Sequence, residues 1–158
     1  MQKKEEARNL EIEKKIKEIF EENYETMRLD GGHALAADAR QNALDQVLLY
    51  YQKLSEIAEK VTETEVKLSL PEQKTPKGRN FTIEGVVDNV NENEEVCMYD
   101  IKAHDLEYIR DNKELYERQL NIYRHIWQKV RGNKLDKTAI ISTKIPNELR
   151  SAIKDGNL

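Results

Sequence analysis

At Thr62 the apolar pattern of this chain changes period, and that switch constrains the fold more than any other feature. Before it, Ile12, Ile16, Ile19, Phe20 and Met27 recur at helical spacings, which predicts a charged helix over residues 1–27. Asp30-Gly31-Gly32 breaks the pattern. A second helix is expected from about His33 to about Val61, with Ala36, Ala39, Ala43, Val47, Tyr50, Leu54, Ala58 and Val61 on one face. After Thr62, Val66, Leu68 and Leu70 alternate with Lys67 and Ser69, the period of a half-buried strand. Residues 71–80, with two prolines and a glycine, read as a loop. Phe81, Ile83, Val86, Val87 and Val90 supply a second strand, Asn91-Glu92-Asn93-Glu94 a turn, and Val96 to Ile101 the return strand. Helical spacing resumes from Asn112 to Val130 through Leu115, Leu120, Tyr123, Ile126 and Trp127, and Gly132-Asn133 stops it. Thr138 to Thr143 is a last short strand. The order α–α–β–β–β–α–β predicts an α/β fold, with helices packed on a mixed β-sheet and a long N-terminal helical part.

At 158 residues the chain has room for one domain, expected to span 1–158, with a helix over 1–30 and a core over 33–145. Thirty acids against 26 lysines and arginines give a net charge of −4. A protein that coats nucleic acid nonspecifically would be basic, whereas a metal site is itself acidic until its cation arrives. The single cysteine, Cys97, excludes a disulfide scaffold, a zinc ribbon or a four-cysteine iron–sulfur cluster within this chain. No apolar stretch approaches the ~20 residues of a membrane span, and no signal-peptide pattern opens the chain. A soluble, cytoplasmic protein with no membrane partner is the expectation.

Chemistry concentrates on the hairpin. Asp88 ends the run Glu84-Gly85-Val86-Val87-Asp88, and Asp100 sits in Tyr99-Asp100-Ile101-Lys102. Both acids lie in otherwise apolar strands, where an isolated ionised carboxylate is costly to bury. They are 12 positions apart across a tight turn, so they can meet and share a divalent cation. Two carboxylates, a backbone carbonyl and waters suit Mg²⁺ or Mn²⁺. Lys102 follows Asp100 at i+2 and leaves the same strand face, where an ammonium can position water or balance charge on a phosphate. Acid-x-Lys alone says little in so charged a chain, and Glu65-x-Lys67 competes because it too sits at a strand. Gln119 and Tyr123, four apart, share one face of the following helix.

Taken together, His33, Gly85-Val86-Val87-Asp88, Asp100-Ile101-Lys102 and Gln119-Leu120-Asn121-Ile122-Tyr123 resemble, in order, the motifs of the RecB-like branch of the PD-(D/E)XK nuclease superfamily. The resemblance spans about 90 residues and implies a restriction-endonuclease-like core and metal-dependent cleavage of DNA phosphodiesters. It implies that His33, Asp88 and Asp100 ligate Mg²⁺ or Mn²⁺ with the Ile101 carbonyl. Lys102 would assist the attacking water, and Gln119 and Tyr123 would support the site and the bound strand. Glu65 resembles a further acid found in such nucleases. The family's usual few residues between glycine and histidine are absent, since Gly32 touches His33. The absence of a Walker-type phosphate loop assigns any motor to a helicase domain or subunit elsewhere. Such a chain would be the nuclease module of a helicase–nuclease or a phage or defence nuclease. The competing expectation is a nuclease-derived module that binds nucleic acid or protein and no longer cleaves.

The remaining residues read more plainly. Trp127 and the tyrosines near it are expected in the core, Cys97 as a buried thiol, and His104 and His125 as surface or helix residues. Arg124, Lys129, Arg131, Lys134 and Lys137 are either a solvated helix end or phosphate contacts.

Overall fold

The alternating segment after Thr62 forms strands, and one helix crosses them to close a core. The computed structural model describes residues 2–154. Its elements are α1 (Gln2–Leu29), α2 (Ala37–Ala58), β1 (Glu63–Lys74), β2 (Asn80–Glu92), β3 (Val96–Lys102), α3 (Leu106–Asp111), α4 (Lys113–Arg131), β4 (Lys137–Ser142) and α5 (Asn147–Lys154). The chain divides after Ser55 into two compact units.

In the first unit, side chains link the two helices. Gln52 Nε2 donates to Glu13 Oε1 at 2.8 Å, and Leu35 N donates to Tyr24 Oη at 3.1 Å. Arg40 pairs with Glu21 and lies over the Tyr24 ring, 4.4 Å from its centroid. The second helix begins at Ala37, later than expected, so His33 lies ahead of it in a non-helical segment and is exposed. Leu54 leaves helical geometry (φ −128°, ψ 28°) just before the division between the units.

The second unit is a four-stranded sheet in the order β1-β2-β3-β4, antiparallel except for the parallel β3–β4 pair. Val66, Leu68, Val87, Val90 and Met98 from the sheet pack with Tyr123, Ile126 and Trp127 of α4 and with Leu135. Burying such a side chain contributes ~1.5–3 kcal/mol, so this layer holds the unit together. The buried residues of α4 (Tyr116, Leu120, Tyr123, Ile126 and Trp127) follow the helical period, and Gly132 ends it in the left-handed region at φ 71°. The mixed sheet and its packed helix agree with the expected α/β class.

Three local features differ from expectation. Residues 71–80 are not all loop, because β1 runs on to Lys74. Pro71 is tolerated at a bulge, where the register shifts between Leu70↔Ile83 and Gln73↔Phe81. Helices α3 and α5 were not foreseen. The first has a clear local cause: the Asp105 side chain accepts from Tyr108 N at 2.8 Å, an N-cap. Trp127 and Cys97 are buried, as expected. No helix among the described residues is long and apolar enough to cross a membrane.

Candidate active site

The expected acids meet where the sheet forks. From Glu92↔Val96 to Asn89↔Tyr99 the β2–β3 ladder is regular, and there it stops. One further step in the same register sets Asp88 opposite Asp100. Beyond it β2 stays paired only with β1, while β3 stays paired with β4 as far as Lys102↔Ser142. At the fork the Ile101 N–H has lost its ladder partner on β2. It donates instead to Asp88 Oδ2 at 2.6 Å.

The backbone is irregular at the same level. The β1–β2 pairs Thr64↔Asn89 and Val66↔Val87 leave out the pair between them, which would be Glu65 with Asp88. Glu65 has φ 51°, the left-handed region that a non-glycine residue seldom occupies. Val87 and Val90 are both fully buried, and that spacing of three breaks the strand's alternation at Asp88 and Asn89. Such irregularities re-aim side chains. Here the carboxylate of Asp88 turns towards β3, and Thr64, Glu65, Asp88, Asn89 and Ile101 line an open hollow of about 430 Å³.

Asp100 is only 2% exposed. Its Oδ2 forms an ion pair with Lys102 Nζ at 2.6 Å. Burial pushes the Asp100 carboxyl above its ordinary range and Asp88 adds to the rise, while Lys102 opposes both. Lys102 is itself largely buried and sits over the Tyr116 ring, 5.9 Å from its centroid. An ammonium above an aromatic face is held by the ring's quadrupole. Tyr116 was not foreseen as part of this neighbourhood. Its signal lay in the sequence, three residues before Gln119 and seven before Tyr123, on their side of α4.

Gln119 and Tyr123 sit on α4, where Gln119 Nε2 donates to Tyr123 Oη at 2.8 Å. A Cβ on Gly85 would lie 2.3 Å from Tyr123 Cε1. Glycine is therefore required three residues before Asp88 because the tyrosine ring rests on the strand there. The G-x-x-D and Q-x-x-x-Y patterns meet through this contact. The structure thus brings together Asp88, Asp100, Ile101 and Lys102, with Glu65 beside them and the Gln119–Tyr123 pair on the adjoining helix. His33 belongs to the first unit. Of the five cations near the end of α4, Arg131 is bound to Glu63 and Glu92, Lys134 to Asp136 and Lys137 to Glu95.

Among the described residues no three histidine, cysteine or acidic side chains form a ready-made metal cage. The donors present are two carboxylates and backbone oxygens. That set fits Mg²⁺, which is commonly held by one or two carboxylates with waters and substrate phosphates completing its shell. No family model matches the chain, and a search of curated proteins finds no match.

Proposed function

We propose that this chain is a Mg²⁺- or Mn²⁺-dependent nuclease with a restriction-endonuclease-like core, hydrolysing DNA phosphodiester bonds in the cytoplasm. One observation carries the reading. Two carboxylates from different strands and a lysine converge where the β2–β3 ladder opens, and the lysine is 2.6 Å from one of them. A merely structural ion pair would not account for the second acid, Asp88, or for the backbone irregularity across from it at Glu65.

In this reading Asp88 and Asp100 hold the cation, with the Ile101 carbonyl. When bound, the metal polarises the phosphate and makes water a better nucleophile. The rest falls to the protein. The Ile101 N–H fixes the Asp88 carboxylate so that its other oxygen is free to bind. Lys102 opposes the rise that burial imposes on the Asp100 carboxyl, and its ammonium orients the attacking water and balances charge developing on the phosphate. Tyr116 restrains that ammonium, and the Gln119–Tyr123 bond stiffens the helix face packed on Gly85. The reading rests on the second unit alone, and His33 remains an expectation of the resemblance. A helicase partner stands on the same footing.

Calorimetric titration with Mn²⁺ separates this reading from a retired binding module. Wild type should bind the ion at micromolar to millimolar concentration, and Asp88→Asn should bind it more weakly. Absence of binding in wild type would favour the retired module.

A further inference from the structure

The β1–β2 hairpin outgrows the rest of its sheet. β3 is laddered to β2 only along Asn89–Glu92, whereas β1 and β2 stay paired out to Lys74↔Asn80. Leu70 and Ile83 are the outermost hairpin residues packed on the core. Residues 71–82 form an arm beyond them, exposed except for the half-buried Gln73 and Thr75.

The end of this arm has a defined geometry. Gly78 N donates to Thr75 O at 2.8 Å, Thr75 N to Arg79 O at 2.9 Å, and Arg79 N to Thr75 Oγ1 at 3.1 Å. Pro76 presets the turn, and Gly78 takes the left-handed position at φ 78°. The arm displays Lys74, Lys77 and Arg79 against one acid, Glu72, in a chain of net charge −4. Among the described residues none of these three cations has an ion pair, unlike Arg131, Lys134 and Lys137 near the end of α4. Phe81, 43% exposed, stands beside them.

We propose that this arm grips the phosphate backbone of the DNA substrate at a distance from the cut, an inference that rests on the nuclease reading above. Cations held on a preset turn of an acidic protein match a regularly spaced polyanion. Arg79 is nine residues from Asp88, or about 30 Å at ~3.3 Å per residue, which is about nine base pairs of duplex. The arm would therefore add affinity without sequence preference and require duplex on one side of the cleaved bond.

Anisotropy titrations of a labelled duplex, with EDTA present, test this on the full chain. In Lys74→Ala/Lys77→Ala/Arg79→Ala the slope of log affinity against log salt should fall by about 2–3, since each phosphate contact contributes ~0.9. Between about 50 and about 200 mM salt, wild type should lose about 40-fold more affinity than the triple variant. Lys74→Arg/Lys77→Arg should keep the wild-type slope, because charge and not side-chain identity is at work. An unchanged slope in the triple variant overturns the proposal, even if the protein cleaves. Metal-free binding that depends on the arm, in a wild type that never cleaves, sinks the nuclease reading and supports the arm. Position can be read separately. Cys97 is buried, so Lys77→Cys offers one accessible thiol for an iron–EDTA tag. Radical scission should centre about nine base pairs from the protein's own cut; scission at the cut itself would overturn the geometry.

Discussion

Lys102 and Lys67 are the lysines of two acid-x-Lys patterns on strands, and their surroundings separate them. Lys67 is exposed on β1, whereas Lys102 is largely buried, 2.6 Å from a carboxylate and over an aromatic ring. Lys102→Ala should lower the single-turnover cleavage rate on the order of 10²–10³, or about 2.7–4 kcal/mol, by analogy with loss of one oxyanion donor. Metal affinity should stay near wild type, and Lys67→Ala should keep most activity. A greater loss at Lys67 would move the catalytic lysine to β1. Gly85 carries a prediction of a different kind. Gly85→Ala forces its methyl into the Tyr123 ring and should destabilise the fold by about 1–3 kcal/mol. In a Tyr123→Ala background most of that cost should vanish, because the obstructing ring is gone. Additive losses in urea melts would show that the glycine serves something else. At this scale the sequence was informative about Asp88, Asp100, Lys102, Gln119 and Tyr123, because local spacing fixes which face each side chain leaves. It did not reveal the left-handed backbone at Glu65 or the capture of the Ile101 N–H by Asp88. Those depend on where two strands part, which no local spacing records.

Among the elements, strand and helix periods located the four strands and the three long helices. The errors fall where a local rule was outweighed. Pro71 and the Pro76–Gly78 pair signalled a loop, but the bulge absorbed the first proline and confined the turn to the second. Helix α3 is short and has no buried residues, so no apolar period announces it; Asp105 alone does, as its cap. The Asp105 carboxyl is held below its ordinary range first by the Tyr108 N–H and then by Lys144, whose Nζ is 2.9 Å away. Because the folded value is depressed, the stabilisation is present above the ordinary carboxylate range and is lost as pH falls through the depressed folded value. Asp105→Ala should therefore have a lower urea midpoint than wild type at neutral pH, with the gap closing in acid. A gap that persists at low pH would mean the side chain acts through something other than its charge.

Across the whole chain, charge is distributed rather than uniform. The acidic total of −4 coexists with a hairpin arm that carries Lys74, Lys77 and Arg79 against the single acid Glu72. The acids at the fork lie in the second unit, where α4 and the sheet build one core. Substituting either acid should leave that core intact. Asp100→Asn takes the counter-charge away from Lys102, so the metal-free protein should melt somewhat lower than wild type while staying folded. The proposed nuclease activity rests on the fork at Asp88 and Asp100. Cleavage of end-labelled linear and circular DNA, with Mg²⁺ or Mn²⁺, by wild type, Asp88→Asn and Asp100→Asn tests that claim most directly. Wild type should cleave only when metal is present, and both variants should be inactive while folded. Full cleavage by either variant, or none by wild type with either metal, would contradict it.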